Sequence, residues 1–466
     1  MSARLTVADV TAALGRSPER AAAPEEAFAG IAIDSRRIRP GELFVGLRGE
    51  RFDGSAFLAD AVRAGATGAV GEDRSFDGRD GIAFWPVADG RAALQALAAH
   101  HRAGLAVRVV GVTGSNGKTT VKELIAAVLS QRFLTSRTHG NLNNQIGVPL
   151  TLLEIEQHHA WAVVEMGMNQ PGEIAPLTAI ARPEIGVITN VAASHLEGLG
   201  TLEAILEEKL ALGRALAREE LLVYGGDQPL LDRAARALSC RTISYGLDPA
   251  NDVAPERWEL DEDGRGRFVL DGKTYRLRLT GKHNVVNALA AVVVGREAGL
   301  GSAEIAVGLA EVDALPLRMQ LERWGDVVAL VDCYNANPES VLSAAATLST
   351  IAGARRRIVV LGEMLELGPD APVLHEEVGR ELALAGSVDL VVSVGGGAAP
   401  IAEGAARAGL RAERFYDHAS AVRWLVDRLV PGDAVLFKAS RGAALETVVT
   451  PVREACLDGA AREHAR

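Results

Sequence analysis

The run VGVTGSNGKTT at 110–120 constrains this chain more than any other stretch. An apolar strand, VRVVGV, runs into the loop TGSNGK, and a helix then opens on Thr119 and Thr120. A loop of this kind aims backbone N–H groups and a helix N-terminus at phosphate oxygens, so it belongs at the end of a buried parallel strand. The common pattern G-x-x-x-x-G-K-[ST] finishes here as Gly117-Lys118-Thr119, but Val112 occupies the place of its first glycine. Glycines stand at 111 and 114 instead. Gly114, Ser115, Asn116, Gly117, Lys118, Thr119 and Thr120 are the candidate phosphate binders. Lys118 would reach the terminal phosphates and Thr119 would offer its hydroxyl to Mg²⁺.

The surrounding pattern extends this to a whole α/β architecture. Apolar runs WAVVEMGM (161–168), EIGVITNV (184–191) and ELLVYGG (220–226) alternate with helical segments such as 119–132. Continuous apolar strands between helices predict a parallel sheet covered on both faces. At 258–280 the pattern changes to strict alternation around Asp-Gly pairs, which predicts an antiparallel ribbon. Beyond the proline-containing EVDALPLRMQ (311–320), strand–helix alternation restarts at 327–332, 356–363, 388–397 and 433–440, a second open sheet of Rossmann type. Before residue 90 short strands and Gly-containing turns mix, followed by an Ala/His-rich helix at 91–104.

At 466 residues the chain is too long for one core, and 48% hydrophobic residues can fill several. A net charge of −11 argues against a nucleic-acid or anionic-membrane surface, while leaving room for a local basic pocket. Cys240, Cys333 and Cys456 are too far apart for a metal knuckle and odd in number, so reduced thiols are expected. No apolar stretch approaches the ~20 residues needed to span a bilayer, and the first residues lack a signal-peptide core. A cytoplasmic protein is expected.

Ligands of open parallel sheets lie beyond the C-terminal strand ends. Glu165 and His195 should therefore share the crevice with the phosphate loop, where a carboxylate and an imidazole can hold a hard cation or exchange protons. Each taken alone is as well read as a packing or salt-bridge residue. By pattern, Lys209 sits on a solvated helix face with i,i+4 charge pairs. Asn284 and Asn287, at helical spacing in GKHNVVNALAA (281–291), could read an adenine edge or cap the helix.

Together, GVTGSNGKTT, EMGM, NVAASHLEG and GKHNVVNALAA resemble, in order and spacing, the ATP-dependent Mur ligases of peptidoglycan synthesis. In that family's phosphate loop an aliphatic residue is common at the position of Val112. HGNLNNQIGVPLTLL (139–153), DCYNANPESV (332–341) and LGEMLELG (361–368) look like the branch that adds D-alanyl-D-alanine to a UDP-N-acetylmuramoyl-tripeptide. DSRRIRPGELFVGLRGERFDG (34–54) resembles the UDP-sugar segment shared with the branch adding the third amino acid. A folylpolyglutamate or cyanophycin-type ligase would keep the ATP machinery and lack that segment. A nucleotide-binding scaffold without catalysis would bind ATP and form no ADP.

The resemblance implies three domains. They are a small α/β N-terminal domain for the UDP-muramoyl group (1–95), a central P-loop-type, mostly parallel α/β sheet domain for ATP (96–313), and a C-terminal Rossmann-like α/β domain (314–466). It also implies ATP and two Mg²⁺ ions, no nucleic-acid or membrane partner, and a monomer. Position by position, Lys118 and Thr119 would hold the γ-phosphate and one Mg²⁺, with Glu165 a ligand of that ion and His195 serving the second. Asn284, Arg318 and Asp332 would serve the nucleotide. Ser35 and Arg36 would lie near the uridine diphosphate, Asn141 and Asn144 near the sugar–peptide, and Asn335, Lys438, Ser440 and Arg441 near the incoming amine. Lys209 aligns with a lysine that is carbamylated in the family, which would make it a catalytic and metal-organising anion. The chain departs from the family wording at Leu210 and Ala211 after that lysine, at Ser55, and at Ala439.

Overall fold

Val112 stands where the common phosphate-loop pattern has glycine because it is still inside a strand. Arg108–Thr113 is the central member of a six-stranded parallel sheet, with Val112 fully buried and in register with Glu165 on one side and Val187 on the other. The strand order is Arg241–Tyr245, Leu221–Gly225, Ile185–Ile188, Arg108–Thr113, Trp161–Glu165, Thr135–Arg137. The chain thus moves outward from Arg108–Thr113 first to one edge and later to the other, which opens a crevice at its C-terminal end. The two edge strands, Thr135–Arg137 and Arg241–Tyr245, are additions to the strands that the sequence pattern predicts. The computed structural model describes residues 4–19, 22–49, 53–73, 76, 81–194 and 196–464.

One face of this sheet is covered by helices Lys118–Leu129, Lys282–Glu297 and Ser302–Glu311, which share a core with the antiparallel ribbon. Helix Lys282–Glu297 is buried on almost every side, so its sequence shows no amphipathic stripe. The ribbon consists of Arg257–Leu260, Arg265–Leu270 and Lys273–Thr280, as the alternation predicts. Its second turn uses Asp271 and Gly272, both at positive φ (49° and 68°), as a tight hairpin demands.

The N-terminal sheet is parallel and in chain order: Ile31–Ala32, Leu43–Val45, Gly68–Gly71, Ala83–Pro86. Helix Gly90–Ala103, N-capped by Asp89, runs through residue 95 and belongs to both neighbours. Its Leu94 and Leu97 share one hydrophobic core with Trp85 on the N-terminal side and Val109, Leu152 and Ile174 on the central side. Arg102 completes the junction, donating from Nε to the Ala181 carbonyl (2.8 Å) and from Nη2 to Glu184 (3.3 Å).

The C-terminal sheet has the order Gln320–Trp324, Val327–Asp332, Asp433–Lys438, Arg356–Leu361, Leu390–Val394, Ala412–Phe415. Only the first strand is antiparallel, paired through the Gly325 hairpin turn. Separate cores cover its two faces, as in doubly wound folds. No helix among the described residues is long and apolar enough to cross a membrane, and the three cysteines are free.

Candidate active site

The phosphate loop is shaped by two glycines whose replacement would collide with neighbours. Gly114 sits at φ +146°, and a Cβ there would come within 1.8 Å of Thr189 Oγ1. Gly117 sits at φ +80°, where a Cβ would come within 2.7 Å of Asn287 Oδ1. Between them the loop is bolted to the neighbouring strand end. Ser115 N–H donates to the Asn190 carbonyl (3.0 Å), Asn116 N–H donates to Asn190 Oδ1 (2.9 Å), and Thr189 Oγ1 donates to the Asn116 carbonyl (2.6 Å). Helix Lys118–Leu129 then starts without a capping side chain. Its first N–H groups have no intrahelical acceptors and face the crevice as an anion site.

Lys118 Nζ donates to the carbonyls of Gly114 (2.7 Å) and Ser115 (3.2 Å). Burial pulls its amine below the ordinary lysine range; Glu165 and Glu366 oppose that shift, and Arg318 adds to it. Glu165, 1% exposed, ends the adjacent strand. Its Oε1 accepts from Asn143 Nδ2 (2.8 Å) and Thr119 Oγ1 (3.2 Å). Its Oε2 is buried and has no hydrogen-bond donor. A buried carboxylate oxygen left open beside a hydroxyl and a phosphate-binding helix suits a hard cation with oxygen ligands.

The loop opens into a cleft of about 520 Å³ between the central and C-terminal sheets. Ser115 through Thr120, Asn141, Asn144, Glu165 and Asn284 line it from the central side. Arg318, Asp332, Asn335 and Lys438 line it from the other. Arg318 stacks its guanidinium on the Tyr334 ring at 3.7 Å, flanked by Leu317 and Met319, which both adopt positive φ (60° and 49°). Such backbone is costly for residues with a Cβ. It is held by Thr280 Oγ1 donating to the Met319 carbonyl (3.0 Å) and by Met319 N–H donating to Asp332 Oδ1 (3.1 Å). Asp332 Oδ2 in turn accepts from Lys438 Nζ at 2.5 Å.

Other sequence candidates stand apart from this lining. Gly114 does not line the cleft, but its carbonyl accepts from Lys118 Nζ (2.7 Å). Ser35 and Arg36 lie on the N-terminal domain, where Arg36 makes a two-pronged bond to Asp34 (2.9 and 2.8 Å). Ser440 is buried and accepts from Leu365 N–H (2.9 Å), while exposed Arg441 pairs with Glu446 (2.7 Å). His195 lies outside the described residues.

The solvated reading of Lys209 is overturned: the residue is 1% exposed. It follows Ile205 and Leu206 by four and three residues and so shares their buried face, whatever the charges beside it suggest. Neighbouring Glu208 is also engaged inside the fold, accepting from the N–H groups of Gly172 (2.8 Å) and Ile174 (2.7 Å). Burial, and after it the like charge of Lys118, holds the Lys209 amine well below the ordinary lysine value.

Four residues of the site escape a reading of the sequence. Asn143, not Asn141 or Asn144, bonds Glu165. Asn337 Nδ2 donates to Asn116 Oδ1 across the cleft (2.8 Å). His283 lines the cleft against Ser343 Oγ (3.3 Å), with burial pulling its imidazole down to about 4. Lys122 is completely buried behind the loop helix. Only the asparagine-rich wording of 141–144 and 335–337 hints at the first two.

A nucleotide-binding central sheet closed over by a Rossmann-like domain defines the class, and the chain belongs to the Mur ligase family. The Mur ligase family catalytic domain matches residues 27–102, the Mur ligase middle domain 112–295, and the Mur ligase glutamate ligase domain 317–441. The chain is similar to UDP-N-acetylmuramoyl-tripeptide–D-alanyl-D-alanine ligase of Bacillus subtilis, 38% identical over 434 residues, covering 92% of this chain and 94% of the relative. Among solved structures it resembles MurF of Acinetobacter baumannii, with a TM-score of 0.89, 31% identity, and 97% and 99% of the two chains covered. It also resembles MurF ligase of Thermotoga maritima in complex with ADP, with a TM-score of 0.82, 28% identity, and 91% and 97% covered.

Proposed function

We propose that the cleft joins D-alanyl-D-alanine to a UDP-N-acetylmuramoyl-tripeptide, cleaving ATP to ADP and phosphate, in peptidoglycan precursor synthesis. One observation carries this reading: the phosphate loop, the asparagine segment and the C-terminal residues Arg318, Asp332, Asn335 and Lys438 line a single cleft. The relatives it resembles over nine-tenths of its length have this activity by name.

In the proposed chemistry the tripeptide's terminal carboxylate attacks the γ-phosphorus, the bond to the bridging oxygen breaks, and ADP leaves an acyl phosphate. The amine of D-alanyl-D-alanine then attacks the acyl carbon, phosphate departs with the C–O bond, and the amine's proton is released. The loop N–H groups and Lys118 hold the phosphates in line and meet the charge that spreads during transfer. Lys118 would exchange its two loop carbonyls for phosphate oxygens. Mg²⁺, when bound, neutralises the phosphoryl oxygens, and Thr119, Glu165 and His195 are its proposed holders. Lys209, its amine held well below the ordinary lysine value by burial, would add in its neutral form through nitrogen to CO₂ with loss of a proton, giving a carbamate for the second ion. Asn284 would face adenine, Arg318 and Asp332 the remainder of the nucleotide, and Ser35 and Arg36 the uridine diphosphate. Asn141 and Asn144 would meet the sugar–peptide, and Asn335, Lys438, Ser440 and Arg441 the dipeptide.

This reading takes the chain as three domains divided near residues 95 and 313, acting as a cytoplasmic monomer. The test is phosphate release by the purified protein with Mg-ATP, UDP-muramoyl-tripeptide and D-alanyl-D-alanine, omitting each in turn. Release that needs all three, with UDP-muramoyl-pentapeptide formed, is expected. ATP binding without such release would overturn the reading.

A further inference from the structure

Lys122 lies one turn beyond Lys118 on the same helix, does not line the cleft, and has no exposed surface. A lysine in that position is costly, because an ammonium taken out of water must recover its hydration from fixed acceptors. Its Nζ reaches the carbonyls of Thr138 (2.7 Å) and Gly140 (3.2 Å) and Glu123 Oε1 (3.0 Å). Two of the ammonium's three N–H donors go to the carbonyls, and Glu123 pairs with its charge. Glu165 Oε2 stands 3.9 Å from the same nitrogen, close enough to feel its charge and too far for a hydrogen bond. Lys122 therefore compensates the buried Glu165 carboxylate while leaving its second oxygen open.

The two carbonyls begin the turn that leads into the asparagine segment. Thr138 also ties that turn to the Glu165 strand, its Oγ1 accepting from Glu165 N–H (3.0 Å) and its N–H donating to the Val163 carbonyl (3.0 Å). From there Asn143 returns to Glu165 Oε1, and Gly167 N–H donates to the Asn143 carbonyl (2.7 Å). On the outer side Glu123 is braced by Arg137 Nε at 2.7 Å.

We propose that Lys122 is a positioning residue: it pins the asparagine segment to the phosphate-loop helix and places its charge beside Glu165 while leaving one carboxylate oxygen free for a divalent cation. It touches no part of ATP itself. The inference rests on the ligase reading of the same cleft and adds to it the device that couples the muramoyl-peptide wall to the nucleotide wall.

The test uses the full chain and starts with the wild type. If wild-type protein forms no pentapeptide product, the ligase reading fails before any variant is considered. With an active wild type, Lys122→Met is expected to raise KM for UDP-muramoyl-tripeptide and the half-saturating Mg²⁺ concentration at least fivefold each. Metal-free ADP binding should stay within twofold, since the loop itself is untouched. A purely structural lysine would lower the amount of active protein and leave those two constants alone, and that result overturns the proposal. Should Lys122→Met not fold, Glu123→Gln decides: it loosens the same ammonium from outside and should shift both constants two- to threefold in the same direction. Unchanged constants in Glu123→Gln would then overturn the proposal.

Discussion

The central and C-terminal sheets present the same feature to the cleft, the C-terminal ends of parallel strands, and use it in opposite ways. At the central sheet, Val112 and Glu165 are paired in register, and the groups beyond them are left open: a bare helix N-terminus, a lysine on loop carbonyls, and a carboxylate oxygen without a donor. At the C-terminal sheet, Asp332 and Lys438 are likewise paired in register, but they neutralise one another at 2.5 Å. Asp332 also fixes the Met319 N–H and Lys438 the Asn335 carbonyl. One edge keeps unsatisfied groups for a ligand; the other commits its charges to the shape of the wall that closes over it. The same architecture thus separates a binding edge from a bracing edge by whether its polar groups already have partners.

If the contrast holds, substitutions at the open edge should remove chemistry with little loss of stability, and substitutions at the braced edge should remove stability in addition to substrate contacts. The largest effect is expected for Lys118→Met, a loss of roughly three orders of magnitude in kcat with ADP binding reduced far less. Single-turnover phosphate release and ADP titration separate the two, and proportionate loss of both would break the comparison. Lys438→Met should instead cost about 3 kcal/mol of stability, because it strands Asp332 beside Cys333 in the interior. Urea denaturation measures that cost, and the double variant Asp332→Asn/Lys438→Met should cost less than the single one. Equal or greater loss in the double variant would mean the pair does more than cancel charge.

The site also sets a pH response, of intermediate size. His283 has its folded-state imidazole pulled down to about 4 by burial, against an ordinary value of 6.5. A depressed histidine destabilises only where the unfolded chain takes up a proton that the folded chain refuses. Its contribution is therefore absent above pH 6.5 and grows as pH falls toward about 4, reaching roughly 1–3 kcal/mol for this partly cleft-facing ring. His283→Gln should flatten the stability profile across that window, with no change above pH 7.

Much of this is legible in the sequence because it depends on local pattern. The phosphate loop needs its glycines and its strand–loop–helix order, and each buried strand of a doubly covered sheet is a continuous apolar run. The place of Glu165 in the crevice follows from strand-end geometry together with the neighbouring phosphate loop. The illegible part depends on which way a side chain faces after packing. Asn141, Asn143 and Asn144 lie in a non-periodic turn, so no rule selects the one that donates to Glu165. Lys122 and Lys209 each stand beside a glutamate, and adjacent charges suggest a solvated face; only the helix contacts show both lysines turned inward. The edge strands Thr135–Arg137 and Arg241–Tyr245 are short and partly exposed, so they lack the apolar run that marks their neighbours.

The smallest effect tests the contact between the two edges. Asn337 has two duties: its Oδ1 caps helix Pro338–Ser349 by accepting from Ser340 N–H (2.9 Å), and its Nδ2 reaches across to Asn116 Oδ1 on the phosphate loop. Serine caps helices about as well as asparagine but is one atom group too short to span the cleft. Asn337→Ser should therefore leave stability within about 0.5 kcal/mol and weaken only the bridge, a neutral hydrogen bond worth about 1 kcal/mol, or roughly fivefold in KM for ATP. Asn337→Ala loses the cap as well and should fall by about a further 1 kcal/mol in denaturation. The bridge is the one place among the described side-chain contacts where the braced edge holds the phosphate loop directly, and its energy shows how far the wall positions the loop as well as covering it. A KM unchanged in both variants would mean that the loop keeps its shape through Asn190 and Thr189 alone, and that the C-terminal sheet acts only as a lid.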